Sequence, residues 1–420
     1  MKPKLITTMQ AYSAAQLRAD LIAGVTVAMV AMPLSIAIAI ASGAAPATGL
    51  VTAIVGGFLI SLLGGSRVQI GGPTGAFIVI VYGIIAQHGY DGLVLATLMA
   101  GAILLLAGWL RAGNLVAYVP EAVVNGFTIG IAIIIATSQL KDLLGLATGP
   151  VPAEFLAKTE ALWAARESVN WSAVGIGLVA LLLIVVLRRA FPKFPGLVVA
   201  MALVSGTVVL LELPVATIAS SYGALPSSLP LPAAPVVSLA RISELLPSAL
   251  VIAFLAAIES LLSAMVADRL IGGSHRPNAE VLAQGWANIG SALFGGLPAT
   301  GAIARTATNV RAGGQTPVAG LVHAVTILLV MMLAAPLAGF LALPALAALL
   351  LSTAWNMSEP HKWRTYLSAP LPDRMLLGLT LVLTVLADLT VAIGVGVALG
   401  LLLRMRQRNL AAEKWSEPDR

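Results

Sequence analysis

The chain of 420 residues contains no cysteine, which excludes disulfides, thiolate metal sites and cysteine nucleophiles. Charge is scarce too: 10% of residues are Asp, Glu, Lys or Arg, against about a quarter in soluble domains. The four histidines, His88, His275, His323 and His361, are too scattered for the ligand spacing of a zinc site. No phosphate-binding loop or nucleotide-hydrolysis motif occurs, so no cofactor is implied and an enzyme is not the expected class.

Apolar residues take that space, at 59% of the chain, with a mean hydropathy of +0.97. Leu21 to Ser66 and Val68 to Gln87 carry no charge, and such stretches hold spans near the ~20 residues a bilayer requires. Backbone groups in lipid must pair internally, so the spans are helices, and their continuous apolar character excludes an alternating β-barrel. The expected class is an all-α polytopic membrane protein of the inner (plasma) membrane. Residues 1–20, with Lys2, Lys4 and Arg18, have no cleavage site after a short apolar core and read as a retained cytoplasmic segment. The net charge of +6 fits basic cytoplasmic loops better than a nucleic-acid partner.

Hydropathy with Gly, Pro and charge as punctuation places spans at 21–41, 48–63, 93–109, 123–140, 173–187 and 195–211, with a short one after Pro73. The second half gives 245–266, 281–294, 318–333, 337–351, 375–386 and 389–403, with a short one at about 302–312. The sum is fourteen segments, seven in each of two repeats (21–211 and 245–403), joined by an external Pro-rich linker (212–244) and followed by a cytoplasmic tail (404–420). Residues 141–170 read as an external amphipathic element. With both termini cytoplasmic, all but four of the 24 Lys and Arg fall inside, the exceptions being Lys141, Lys158, Arg166 and Arg241. An odd number of spans per half then makes the repeats inverted.

Each half carries a related motif at a corresponding place: GGPTGA at Gly71–Ala76 and GGLPATGA at Gly295–Ala302. An extended Gly/Pro segment entering a short helix leaves free N–H groups at the helix start, which with the helix dipole form an anion site. Two such starts, one per inverted repeat, meet near the midplane in discontinuous-helix carriers. Coincidental helix breakers in tight packing are the blander reading. Thr74 and Thr300 offer hydroxyl donors or caps. Glu259, mid-span, is a proton-coupling carboxylate, a cation ligand together with Ser263, or the partner of a buried arginine. Arg305, one turn into the second short helix, counters substrate charge, pairs with Glu259, or does both; a cytoplasmic anchor is the alternative. His323 reads as a packed, hydrogen-bonded histidine and Asp388 as a helix cap.

Four stretches, RADLIAGVTVAMVAMPLSIAIAIASG (18–43), QIGGPTGAF (69–77), AAIESLLSAMVADR (256–269) and NIGSALFGGLPATGAIARTATNVRAGGQTPVAG (288–320), resemble the SulP sulfate-permease family, bacterial relatives of solute carrier family 26. The resemblance covers nearly the whole chain, and the last stretch is the most specific. It implies the fourteen-segment inverted-repeat fold of nucleobase transporters, with segments 1–4 and 8–11 as a substrate-carrying core, 5–7 and 12–14 as a gate, elevator-like movement and a homodimer. It places the site between short half-helices 3 and 10, facing segments 1 and 8: Pro33, Leu34, Ile38, Thr74, Gly75, Glu259, Ala302, Ile303, Ala304 and Arg305. Many members carry glutamine where Leu34 stands, which leaves sulfate-like specificity open. Members usually end in a cytoplasmic STAS domain, whereas only a short tail follows Leu403; either the chain was shortened or this member lacks the domain.

The expected function is proton-coupled symport of a small anion, such as fumarate, bicarbonate or sulfate, with Glu259 protonating as the anion binds. The apolar Leu34, Ile38, Ala302 and Ala304 favour a partly organic anion. Sodium-coupled bicarbonate transport, a nucleobase permease of the same fold and an uncoupled channel or exchanger are the alternatives.

Overall fold

The computed structural model describes residues 2–114, 119–149, 151–191, 196–387 and 389–406. Residues 2–12 do not trail away as a tail. Helix α1 (Lys4–Thr8) starts with the Lys4 N–H donating to the Gly64 carbonyl at 2.9 Å, and the Arg276 guanidinium donates to the Lys2 carbonyl at 2.7 Å. The first long helix, α2 (Ala14–Ala41), begins well before the apolar run at Leu21. Its start is set by a capping box, in which Ser13 accepts from the Gln16 N–H and the Gln16 side chain accepts from the Ser13 N–H.

Asp20, with no exposed surface, ties α2 to the loop at Gln315 and Thr316. One carboxylate oxygen accepts from the N–H groups of Gln315 (2.8 Å) and Thr316 (3.1 Å); the other accepts from the Thr316 and Tyr12 hydroxyls. Burial first, and then the Asp20 carboxylate, push the Tyr12 hydroxyl up to about 12, so it remains a donor at neutral pH. Replacing Asp20 by alanine strands buried donors that each cost about 1–3 kcal/mol. The expected result for Asp20→Ala in detergent is a melting temperature lower by several degrees, measured by thermal unfolding; an unchanged value contradicts this role.

After α3 (Pro46–Val51), a π-helical turn at Thr52–Gly56 leads into α4 (Gly57–Leu63). Helix α5 (Ile78–Trp109) is broken at Gly89 (φ 69°, ψ 179°), so the short segment after Pro73 and the span expected at 93–109 are two helices meeting at that residue. Then follow α6 (Glu121–Leu143), α7 (Phe155–Ala164), α8 (Trp171–Ala190), α9 (Gly196–Leu210) and α10 (Ile218–Tyr222). The second half contains α11 (Leu239–Ile271), α12 (Pro277–Leu293), α13 (Ile303–Arg311) and α14 (Val318–Ala338). It closes with α15 (Leu343–Met357), α16 (Trp363–Ser368), α17 (Leu371–Leu386) and α18 (Leu389–Arg406). The cap expected at Asp388 lies outside the described residues.

Seven helices among the described residues are long and apolar enough to cross a membrane. Six expected spans fall short of that: α9, α13, α15 and α17 are brief, the apolar part of α18 runs only from 391 to 403, and α12 turns Glu280, Gln284 and Asn288 into the bundle. Elements of the two halves interleave, with α2 packed on α14, α5 on α11 and α12, and α6 on α15 and α17.

Candidate anion site

Both Gly/Pro motifs are extended, and they meet. Strand β1 (Gly71–Gly72) pairs antiparallel with β2 (Thr300–Gly301), Gly71 opposite Gly301 and Gly72 opposite Thr300. The residue before a proline is pushed to extended backbone, which Pro73 and Pro298 enforce on each motif. Extended backbone buried in a helical bundle must find partners, and polar side chains from neighbouring helices supply them. Asn288 accepts from the Ala299 N–H and donates to the Ala299 carbonyl (2.9 Å each), Thr306 accepts from the Ile70 N–H (3.1 Å), and Asn309 donates to the Val68 carbonyl (2.8 Å). The Ala302 N–H donates to the Ile70 carbonyl at 2.8 Å.

Each strand runs into a helix start. Thr74 precedes a tight turn at Gly75–Phe77 that continues into α5, and Ala302 precedes α13. Thr74, Gly75, Ala302, Ile303, Ala304 and Arg305 line one cavity of about 360 Å³, together with Leu34 and Ile38 of α2 and Glu259 of α11. Nine of the expected site residues therefore converge. Pro33 and Ser263 do not line this cavity. Pro33, the helical neighbour of Leu34, points into a separate apolar crevice between α2, α9 and α14. Ser263 lies one turn from Glu259, but its hydroxyl is paired with that of Thr306 at 3.0 Å. Thr300 is likewise engaged, donating to the Ala256 carbonyl at 3.0 Å, whereas the buried Thr74 hydroxyl has no partner among the described residues and makes no side-chain cap.

Arg305 is 2% exposed. Its Nη2 donates to the Ser35 hydroxyl (3.1 Å) and the Pro73 carbonyl (3.0 Å), while Nε and Nη1 have no partner among the described residues. The guanidinium makes no ion pair with Glu259, and a role as a cytoplasmic anchor is set aside by its burial. A buried cation with donors in reserve is a ready receptor for an anionic oxygen. His323 is packed as expected but not hydrogen-bonded, since neither ring nitrogen has a partner among the described residues.

Several residues at the site were not foreseen. Ser35 orients Arg305, and its hydroxyl within the apolar run of α2 was the available signal. Ser352, Thr353 and Asn356 of α15 line the cavity; the polar cluster STAWN at the end of an apolar helix marks them. Arg188, counted from sequence on the cytoplasmic side, and Arg311, near the end of the second short segment, line it as well and add positive charge.

A bundle of apolar helices enclosing an arginine pocket at two apposed helix starts defines a multi-pass membrane transporter. Residues 17–368 match the profile of the sulfate permease family, and the chain belongs to that family, the SulP/SLC26 transporters. Its relatives are transporters and not enzymes. It is 43% identical to the Bacillus subtilis protein YvdB, which carries a sulfate-transporter name, over 91% of this chain and 72% of that one. It is 32% identical to the bicarbonate transporter BicA of Picosynechococcus, over 95% of this chain and 72% of BicA. The solved transmembrane domain of a cyanobacterial BicA superposes with a TM-score of 0.80 at 29% identity, covering 91% of this chain and 99% of that domain. The murine Slc26a9 anion transporter in its inward-facing state shares the fold, with a TM-score of 0.86 at 16% identity, covering 96% and 71%.

Proposed function

We propose that the chain is a secondary active transporter of a small anion, bound where the turn at Gly75 and the start of α13 converge on Arg305. The observation that carries this reading is the buried guanidinium with Nε and Nη1 unused at the cavity wall. Backbone N–H groups at the two helix starts and the Thr74 hydroxyl supply further donors, and Leu34, Ile38, Ala302 and Ala304 form an apolar wall. The names of the relatives point to bicarbonate and sulfate as first candidates; the apolar wall adds a dicarboxylate such as fumarate. Alternating access proceeds by elevator-like movement of a core (segments 1–4 and 8–11) against a gate (5–7 and 12–14) in a fourteen-segment inverted repeat. Both termini are cytoplasmic and the assembly is a homodimer in the inner membrane. Uptake of labelled bicarbonate, sulfate and fumarate into proteoliposomes, each challenged with the other two, tests the reading. Saturable, concentrative uptake of one of them is expected; uptake of none overturns it.

Coupling is assigned to Glu259, which is 6% exposed and lines the same cavity. A carboxylate there is costly to keep charged, and taking up a proton with the anion lowers the net charge to be moved. Uptake driven by an inward proton gradient is expected to lose that dependence, by about tenfold in accumulation, in Glu259→Gln, while anion exchange persists. Gradient-driven uptake unchanged in this variant, or a requirement for sodium in place of the gradient, contradicts the assignment.

A further inference from the structure

A second buried carboxylate lies outside the cavity. Glu280 of α12 has no exposed surface and no lysine, arginine or histidine within ion-pair distance among the described residues. Donors surround its carboxyl group. Oε2 accepts from the Gly65 N–H at 2.8 Å, and Oε1 accepts from the Ser260 hydroxyl and the Gln284 amide, both at 2.8 Å. The Ser260 oxygen in turn accepts from the amides of Gln69 (2.8 Å) and Gln284 (2.7 Å). Retaining an unpaired carboxylate inside an apolar bundle is costly, and packing alone does not account for it.

The network reaches the site through the first motif. Gln69 immediately precedes Ile70 and β1, and its amide crosses directly over Gly301 of the second motif. A Cβ on Gly301 would lie 1.7 Å from the Gln69 Nε2. Ile70 then bonds to Ala302 and Thr306 of α13, and Pro73, at the other end of the same strand, offers its carbonyl to Arg305. Ser260 is also the residue that follows Glu259 on α11.

Resting on the anion-site reading above, we infer that Glu280 is a positioning residue for that site. Through Ser260 and Gln69 its carboxylate fixes β1 against β2, and with β1 the Pro73 carbonyl that orients Arg305. The same carboxylate holds the Gly65 loop, so the approach to the first motif and the α11–α12 pair move as one unit.

The test measures half-saturation and maximal rate of labelled bicarbonate and sulfate uptake in proteoliposomes for Glu280→Gln, Ser260→Ala and Gln69→Leu, with thermal unfolding of each. An amide at 280 puts a donor in place of one accepting oxygen, against either the Gly65 N–H or the Ser260 and Gln284 donors. Glu280→Gln is expected to raise the half-saturating concentration about tenfold with a much smaller change in maximal rate. Adding Gln69→Leu to it is expected to cost little more, because both act through one network. If Glu280→Gln fails to fold, Ser260→Ala, which leaves no charge stranded without its remaining donors, must show the same shift. A fall in melting temperature and maximal rate with half-saturation unchanged overturns the inference. Arg305→Ala, run alongside, separates the two readings. If Arg305→Ala leaves half-saturation at the unsubstituted value, the anion site itself is wrong. If only the Glu280, Ser260 and Gln69 variants do so, the positioning role alone is wrong.

Discussion

Arg305→Ala is expected to lower saturable anion uptake at least about 100-fold, since charge-assisted hydrogen bonds contribute about 1.5–3 kcal/mol each and the guanidinium has two nitrogens in reserve for the ligand. The residue is buried at the cavity wall and forms no ion pair among the described residues, so its charge is available to an incoming anion. Arg305→Lys separates charge from geometry. An ammonium keeps the positive charge but cannot hold the Ser35 hydroxyl and the Pro73 carbonyl while aiming two further N–H groups elsewhere. An intermediate loss of about tenfold is expected for it. Initial uptake rates, normalised to the amount of folded protein in the vesicles, check both values. Arg305→Ala with a normal rate would remove the basis of the assignment.

The second large effect is expected at a residue with no side chain. Gly72 adopts φ +151°, and a Cβ there would lie 2.3 Å from Arg305 Nη1 and 3.4 Å from the Ala53 Cα. The motif therefore leaves a slot through which the guanidinium reaches the cavity. Gly72→Ala imposes backbone strain of order 1–3 kcal/mol and forces the arginine aside. Uptake is expected to fall at least about tenfold while the protein still elutes as a single species, because the β1–β2 pairing is made by main-chain groups that the substitution leaves in place. Size-exclusion profiles and uptake measured on the same preparation decide the matter; retained uptake would show that the guanidinium does not need the slot.

Much of the site was legible in the sequence because its signals are local. A Gly/Pro run among apolar spans marks broken helix, and its recurrence as GGPTGA and GGLPATGA marked where two chain segments come together; the pairing of Gly71 with Gly301 bears this out. Arg305, Glu259 and Thr74 were legible because polar groups in apolar surroundings are conspicuous. What was not legible depends on the rotation of a helix about its axis. Pro33 and Leu34 are neighbours in sequence yet face different hollows, and Ser263, one turn from Glu259, is taken up by Thr306. Whether Arg305 would answer Glu259 or reach for Ser35 and Pro73 depends on packing between α2, α11 and α13, which no local pattern records. Hydropathy also missed the start of α2, which a Ser13–Gln16 cap sets in a polar stretch, and the α15 residues that close the cavity.

Transport as proposed here requires an anion between the two helix starts against Arg305. A crystal structure of the protein grown with selenate or bromide, with the anomalous signal of the ion located, tests it most directly. The peak is expected within hydrogen-bonding distance of Arg305 Nε or Nη1, beside Thr74–Gly75 and Ala302–Ile303. A peak confined to Arg188 and Arg311, with none at Arg305, would contradict it.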